Sequence, residues 1–197
     1  MSTVRVSDAD LVERARQGDA AAFGELIDRH RSAVFRAALA ALGSHADAED
    51  AAQEAFLAAY RRLSSFRGEA SFKTWLLTIA WHQAINRRRS LGRIWRRITA
   101  VNQNESGESP LDAIAAPDPT PEAAALDRRL RQAIQSAIRR LAPKLRDSLL
   151  LAQSGEYSYE EMATMLKAPV GTVKWRVSEA RRVVRQQLRD HGYDHVA

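Results

Sequence analysis

The sequence contains no cysteine, which excludes disulfide bonds, thiol catalysis and zinc sites built from thiolates. No apolar run approaches the ~20 residues that a membrane-spanning helix needs, so we expect no insertion into a membrane. The first residues, MSTVRVSDADLVERARQGD, include no apolar stretch of the kind found in secretory signals. Together these absences favour a cytoplasmic protein.

Proline is scarce, and four of the six prolines fall in the acidic segment NQNESGESPLDAIAAPDPTPE. This segment has no sustained apolar period, so it cannot bury enough apolar surface to offset its chain entropy. We predict a flexible linker at residues 101–124, between a first domain of residues 1–100 and a second of residues 125–197. Neither side has the alternating β-branched runs typical of strands, and both have apolar residues at helical spacing. The predicted fold is therefore all-α, with two small helical domains.

The net charge of +6 is modest but unevenly distributed. Residues 87–101 carry six arginines and no acid, and residues 102–122 carry five acids and no base. Residues 123–197 carry 14 basic and 8 acidic groups. Clustered basic residues neutralise phosphates, so this layout suggests two modules that face nucleic acid. A solvated surface with no ligand is equally compatible with the charge pattern alone.

Apolar periodicity and capping signals predict four helices in the first half. The first covers residues 8–17, and the second is a long helix that ends near Gly43. Ser44 begins the third, and the fourth covers residues 72–89. Alanine is frequent in these segments, which suits a closely packed helical bundle.

The second half is predicted to contain helices at residues 126–141 and 144–153, followed by two more that are joined by a short turn. Ser158 begins the first of that pair, with Glu161 three residues later in a capping-box arrangement. The second, in PVGTVKWRVSEARRVVRQQLR, has Pro169 at a position suited to the first helical residue. This outline is that of a helix-turn-helix, and a basic amphipathic surface helix is the alternative. An apolar stripe would hold the last helix on its domain: Val173, Val177 and Val184.

The N-terminal part of the last helix carries the residues that we predict to contact DNA. Backbone N–H groups at a helix start can bind a phosphate, and polar side chains four residues apart can face base edges. Arginines around them would contact phosphates. The predicted contacts are Gly171, Thr172, Lys174, Trp175, Arg176, Ser178, Glu179, Arg181 and Arg182.

Two stretches carry a family resemblance. The segment YSYEEMATMLKAPVGTVKWRVSEARR resembles region 4 of the extracytoplasmic-function (ECF) sigma factors of the sigma-70 family. The segment that runs from GDAAAFGELIDRH to QAINRRR resembles region 2 of that family almost end to end. The resemblance covers roughly residues 9–100 and 126–190, in the expected order across a variable linker. It implies an alternative sigma factor that binds the β and β′ subunits of core RNA polymerase and recognises −35 and −10 promoter DNA.

The resemblance places polymerase docking on the segment DAEDAAQEAF. Asp47, Asp50 and Glu54 are spaced so that they share one helix face. An acidic stripe beside apolar residues would complement a basic coiled coil. Without the resemblance, the same pattern fits solvated acids on an exposed helix. The implied docking residues are Asp47, Asp50, Gln53, Glu54, Phe56 and Leu57.

The resemblance also implies that FRGEASFKTWLLTIAWHQAINRRR opens and reads the −10 element. Strand opening requires a pocket for an unstacked base, surfaces that hold the base, and cations for the backbone. Trp75 is expected in the core, whereas Trp81 could stack on a base or pack against the RIWRR extension. The implied −10 contacts are Arg67, Gly68, Glu69, Ser71, Lys73, Thr78, Trp81, His82, Asn86, Arg87 and Arg88.

Three residues depart from the common family pattern. His82 replaces a frequent asparagine, Trp175 replaces a small residue, and Glu179 replaces a frequent arginine. A glutamate can accept a hydrogen bond from a cytosine amino group, and an apolar side chain can contact a thymine methyl. These departures keep DNA binding as the prediction but leave the promoter consensus open.

Two charged segments have open interpretations. The arginine-rich RRRSLGRIWRR would contact DNA phosphates or form a basic tail, and we favour the phosphate contact. The acidic linker, by resemblance, would run towards the RNA exit path of the polymerase. A passive tether is the alternative.

No catalytic motif is present, since the sequence lacks a P-loop, a G-x-S-x-G and an H-E-x-x-H. The segment HGYDH offers His191, Asp194 and His195, but Gly192 weakens the helical geometry that a metal would need, so we predict no metal site. We expect no enzyme activity and no cofactor. By resemblance, an anti-sigma factor is an expected partner. The competing hypothesis is a repressor or activator that uses only the helix-turn-helix and dimerises on two half-sites.

Overall fold

The computed structural model describes the backbone of residues 6–101 and 121–193, and the side chains of residues 6–90 and 128–193. Within these ranges every regular element is a helix, which confirms the predicted all-α fold. The contacts within the chain divide it into two compact units, Met1–Ala113 and Ile114–Ala197. None of the described helices is long and apolar enough to cross a membrane.

The described part of the first unit contains α1 (Asp8–Arg16), α2 (Ala20–Leu42), α3 (His45–Arg62), a 3-10 turn (Leu63–Ser65) and α4 (Phe72–Val101). The side chains of Ser7 and Ser44 accept a backbone N–H from the first turn and so cap α1 and α3. Gly43 ends α2 in the left-handed conformation, with a φ of 72°. The predicted starts of α1 and α3 and the predicted end of α2 are therefore confirmed.

The core of the first unit lies where α2, α3 and α4 pack against one another. Short side chains let helix backbones approach closely, and α3 meets its neighbours in this way. Larger core groups come from the neighbouring helices, among them Leu26 of α2 and Leu76, Leu77 and Trp81 of α4, all of which are buried. The opposite side of α3 is left to solvent. The buried residues of α3 are all alanines: Ala48, Ala51, Ala52, Ala55 and Ala59.

An aromatic cluster covers the start of α4. The ring centroid of Trp75 lies 5.1 Å from that of Phe66 and 5.7 Å from that of Phe72. The Phe66 and Phe72 centroids are 5.8 Å apart. Such tilted and edge-on pairs are favourable beyond their buried area. Trp75 therefore packs against the core, as expected.

The predicted end of α4 at residue 89 is wrong, because the helix continues to Val101. The arginines, leucine and alanine of this stretch are good helix formers, and the one glycine, Gly92, costs only about 1 kcal/mol relative to alanine. The predicted linker is also shortened at its far end, since residues 121–124 are helical. The rest of the predicted linker, residues 102–120, lies outside the described residues.

The described part of the second unit contains α5 (Pro121–Arg140), α6 (Pro143–Gln153), α7 (Tyr159–Leu166) and α8 (Val170–Asp190). The predicted capping box at the start of α7 is confirmed. Ser158 N donates to Glu161 Oε2 at 2.8 Å, and Glu161 N donates to Ser158 Oγ at 3.1 Å. Each residue thus satisfies a backbone donor of the other, which fixes where α7 begins.

The last helix, α8, packs against α5, α6 and α7. Val173 and Val177 are buried, and Val184 packs against the cluster formed by Leu141, Leu149 and Ala180, so the predicted valine stripe is confirmed. The helical pair α7–α8 is joined by residues 167–169. This is the geometry of a helix-turn-helix.

The predicted position of Pro169 is wrong by one residue. With a φ of −57° and a ψ of 145°, Pro169 has extended backbone and is the N-cap of α8, so the helix begins at Val170. Its carbonyl accepts the first helical hydrogen bond, from Val173 N at 3.0 Å. An N-cap residue has non-helical dihedrals while its carbonyl already starts the helical ladder.

Candidate functional surfaces

One side of α3 forms what we term the acidic face, made of Asp47, Asp50, Gln53, Glu54 and Leu57. Asp50, Gln53, Glu54 and Leu57 are exposed and Asp47 is half-buried, because the alanines of the opposite side face the core. The sixth residue of the implied docking set, Phe56, is half-buried and lies nearer the core. The structure therefore brings the three predicted carboxylates together on one surface.

Arg87 of α4 is the counterion of the acidic face. Its Nε and Nη2 donate to Asp47 Oδ1 at 3.0 and 2.9 Å, and Nη2 also donates to Asp50 Oδ2 at 2.9 Å. Its Nη1 lies 3.5 Å from Glu54 Oε1. The hydrogen bond to Asp47 raises the pKa of Arg87 above its ordinary value, against the lowering effect of burial. The sequence grouped Arg87 with the −10 contacts, but the structure places it with the acidic face.

An apolar patch lies along α3 beside the acidic face. Leu57 and Tyr60 are both large apolar residues that are more than half exposed. The Tyr60 ring packs against Phe23 of α2, with 4.9 Å between the ring centroids. Charged residues next to exposed apolar groups are typical of protein-binding surfaces.

The loop between the 3-10 turn and α4 carries the residues predicted to capture an unstacked base. Arg67, Gly68 and Glu69 are exposed, and Gly68 has a φ of 74°, which favours glycine. The Arg67 and Glu69 side chains are 3.9 Å apart. Ser71 instead caps α4, since its Oγ accepts from Thr74 N at 3.1 Å. The loop is thus an exposed turn that enters directly into α4.

Arg16 anchors this loop and was missed by the sequence reasoning. Its Nε donates to Leu63 O at 3.2 Å, its Nη2 donates to Phe66 O, and its guanidinium lies 5.9 Å from the centroid of the Phe66 ring. The contacts join residues about fifty positions apart, so no local pattern in the sequence signals them. Arg16 therefore fixes the chain just before the exposed turn.

The outer side of α4 carries part of the predicted −10 set. His82 and Asn86 are exposed, and Thr78 and Lys73 are half-buried. The Thr78 hydroxyl donates to Thr74 O at 2.7 Å. The helical spacing of residues 78, 82 and 86 places them on one side, where a DNA strand could lie along α4.

Two other predicted −10 contacts are turned inward. Trp81 is only 2% exposed and its ring is part of the core, so the alternative that it stacks on a base does not fit its position. The other alternative, packing against the RIWRR extension, involves side chains outside the described residues. Trp81 is buried on the side of α4 that faces the packed helices, next to the half-buried Thr78. Arg88 is half-buried, and its Nη1 donates to Ala41 O at 3.3 Å near the end of α2.

The outer side of α8 presents Trp175, Lys174 and Ser178 to solvent. Trp175 is 62% exposed, which is unusual for so large an apolar side chain. The Lys174 ammonium lies 5.5 Å from the centroid of the Tyr159 ring on α7, a cation–π contact that directs the lysine. The N–H groups of Gly171 and Thr172 lie in the first turn, where no helical carbonyl precedes them.

Glu179 and Arg182 form an ion pair on α8. Arg182 Nε and Nη2 each donate to one oxygen of the Glu179 carboxylate, both at 2.8 Å. These hydrogen bonds hold the pKa of Glu179 below its ordinary value. The ion pair therefore directs Arg182 along the helix. Arg181 and Arg182 are both exposed, and Arg176 is half-buried.

The C-terminal histidine segment falls partly outside the described residues, which end before Asp194 and His195. His191 Nδ1 contacts Gln187 O at 2.7 Å. Among residues whose placement the structure gives, no group of histidines, cysteines and acids could hold a metal ion.

The chain matches two family profiles, Sigma-70 region 2 over residues 26–94 and Sigma-70, region 4 over residues 131–183. The first spans α3 with its acidic face and most of α4, and the second spans the helix-turn-helix. The two helical units are therefore those of a sigma-70-type sigma factor.

Comparison with related proteins shows to which group of sigma-70-type factors the chain belongs. The chain is 34% identical to the ECF RNA polymerase sigma factor SigW of Bacillus subtilis (strain 168) over 91% of this chain and 95% of SigW. It belongs to the ECF RNA polymerase sigma factors, as the resemblance predicted. Proteins of this family are transcription factors that bind core RNA polymerase and promoter DNA.

Two solved structures have a similar fold. CnrH, in complex with the cytosolic domain of CnrY, matches with a TM-score of 0.61 and 23% identity over 93% of this chain and 97% of the matched chain. The sigma factor RpoE, in complex with the anti-sigma factor NepR from Bartonella quintana, matches with a TM-score of 0.56 and 25% identity. That match covers 85% of this chain and 96% of the other.

Proposed function

We propose that the first unit docks on core RNA polymerase through the acidic face of α3. The observation that carries this proposal is the sorting of α3 into two sides, with alanines inside and carboxylates, Gln53 and Leu57 outside. The alanine side supplies all the buried residues of the helix. The outer side, acidic and flanked by exposed Leu57 and Tyr60, has the composition that a basic helical surface of the β′ subunit would complement.

The exposed turn before α4 and the outer side of α4 are proposed to hold the −10 strand. Arg67 is free of the core and is more than four-fifths exposed, so its charge is available to a backbone phosphate or a flipped base. His82 and Asn86 continue this surface along the helix. Arg87 and Trp81 are not part of the proposed strand path.

The second unit is proposed to bind the −35 duplex with α8 in the major groove. Lys174, Trp175 and Ser178 are exposed near the start of the helix, where a recognition helix meets base edges. The backbone N–H groups of Gly171 and Thr172 would bind a phosphate. A repressor that used only α7 and α8 would leave the acidic face of α3 without a role.

An anti-sigma factor is the proposed regulator, supported by the fold that this chain shares with RpoE bound to NepR. The apolar patch of Leu57 and Tyr60, next to the acidic face, offers such a partner a surface that overlaps the polymerase site. We infer that the protein acts in the cytoplasm, where polymerase and promoters are, and that it has no catalytic activity of its own.

Charge reversal of the acidic face tests the docking proposal. We expect Asp50→Lys with Glu54→Lys to weaken binding to sigma-free core RNA polymerase by at least about tenfold, because two attractive contacts become repulsive. Binding is measured by co-elution on a sizing column and by titration, with helical content checked by circular dichroism.

The matched control is Asp28→Lys with Asp190→Lys, which makes the same charge change at exposed positions on α2 and α8. It should leave polymerase affinity close to that of the wild type. Equal losses in the two double variants would mean that net charge alone attracts the polymerase. No loss in the α3 variant would remove docking from the acidic face.

A further inference from the structure

Arg87 lies on the inner side of the acidic face. Its side chain is 27% exposed, whereas Asp50 and Glu54 are 58% and 53% exposed. A phosphate approaching Arg87 would have to come close to three carboxylates, which repel it. The position therefore fits an internal role for the guanidinium better than a contact with DNA.

The contacts of Arg87 leave the carboxylates of the acidic face able to bind a basic group of a partner protein. The guanidinium reaches one oxygen of each carboxylate, namely Asp47 Oδ1, Asp50 Oδ2 and Glu54 Oε1. A carboxylate accepts hydrogen bonds through both oxygens, so the second oxygen of each can meet a partner. With one positive and three negative groups, the cluster keeps an excess of negative charge.

Removing the guanidinium would disorder the face. The three carboxylates lie one to two helical turns apart on the same side of α3, where like charges repel. Without a shared counterion the side chains would separate and sample more rotamers. Docking would then have to order the carboxylate side chains again, at a cost in conformational free energy. In the wild type these side chains are already ordered in the free protein, so docking does not carry this cost.

We propose that Arg87 is a positioning residue of the polymerase-docking surface, holding the three carboxylates of the acidic face in the arrangement that core RNA polymerase binds. The inference rests on the proposed docking function. It gives α4 a part in docking as well as in the −10 strand path, because one helix carries both the outer polar side and the inner arginine.

The test is the affinity of the full chain for sigma-free core RNA polymerase, measured by titration in the absence of DNA. Arg87→Ala should bind about fivefold more weakly, the effect of losing a partly exposed ionic network. The affinity of Arg87→Lys should lie between those of the wild type and Arg87→Ala. An ammonium keeps the positive charge but lacks the planar guanidinium that contacts several carboxylates at once. Arg31→Ala, which removes an exposed arginine from α2, is the matched control and should bind like the wild type.

A double-mutant cycle tests whether Arg87 acts through its carboxylates, and thermal unfolding followed by circular dichroism shows whether each variant keeps the wild-type fold and stability. If Arg87 acts through its carboxylates, the loss in Arg87→Ala with Asp47→Asn is smaller than the sum of the two single losses. Additive losses, or tighter binding by Arg87→Ala, overturn the inference. If the wild type binds and Arg87→Ala binds equally well, only the positioning role fails. If the wild type does not bind core polymerase, the docking function itself fails.

Discussion

The pair of Glu179 and Arg182 gives the recognition helix a pH-dependent contact. Since hydrogen bonds from Arg182 hold the pKa of Glu179 below its ordinary value, the stabilisation by the pair is present above that ordinary value. It is lost as the pH falls through the lowered pKa. The pair is solvated, so its contribution to the free energy of unfolding is small, and its main effect is to direct Arg182.

We expect Arg182→Ala to raise the pKa of Glu179 towards the ordinary value, because the carboxylate then loses both hydrogen bonds. The measurement is an NMR titration of the Glu179 side-chain carboxyl carbon. Arg181→Ala removes the neighbouring exposed charge and is the control, for which the titration should stay in place. Similar shifts in both variants would mean that the charge density of α8, and not this pair, sets the pKa.

At the residue level, the sequence predicted the burial or exposure of side chains whose position depends only on the periodicity of their own helix. The valine stripe of α8 and the exposed Lys174 follow from a period of 3.6 residues alone. Arg87, Arg16 and Trp81 could not be placed in this way. Their surroundings come from other helices, and a local pattern does not tell an arginine that meets phosphate from one that meets a distant carboxylate.

The alanine side of α3 determines how closely that helix approaches its neighbours. We expect Ala55→Leu to destabilise the first unit by about 1–3 kcal/mol, because Ala55 is fully buried and a larger side chain must displace its neighbours. The free energy of unfolding is measured by urea denaturation followed by circular dichroism at fixed temperature.

The matched control is Ala46→Leu, made at an exposed position in the first turn of the same helix. It should change stability by no more than about 0.5 kcal/mol. If Ala55→Leu were as mild as Ala46→Leu, the packing of α3 would have room for a leucine, and the alanines would not be required for close approach.

At the level of helices, the starts of α3 and α7, each marked by a capping serine, were predicted to the residue, whereas the start of α5 and the extent of α4 were not. Ser44 and Ser158 each cap a helix as the sequence indicated, because a capping side chain acts on backbone groups within three residues. The far end of α4 has no such signal: the helix formers simply continue past residue 89 to Val101.

Over the whole molecule, the surfaces proposed for polymerase docking and for −35 recognition lie on different compact units. We expect Lys174→Ala to weaken binding of the holoenzyme to a −35 duplex by about 1–3 kcal/mol if the lysine reads a guanine, while binding to core polymerase is unchanged. The measurement is a titration with duplexes that differ by single base pairs in the −35 element.

The pattern of loss over these duplexes identifies the contact. A loss confined to duplexes with one particular base would assign base reading to Lys174, whereas an equal loss on every duplex would make it a phosphate contact. Lys144→Ala, at an exposed position at the start of α6, is the control for the removal of one positive charge from the same unit. A matching loss there would show that the effect is one of net charge.

In α8 the side chains that pack and the side chains that face outward are different residues. Val173, Val177 and Ala180 are buried, while Lys174, Trp175 and Ser178 between them are exposed. A mutation at an outward position therefore leaves the core as it was and needs no compensating change elsewhere. Lineages that duplicate such a gene can diverge in promoter preference by single steps, each passing through a folded protein.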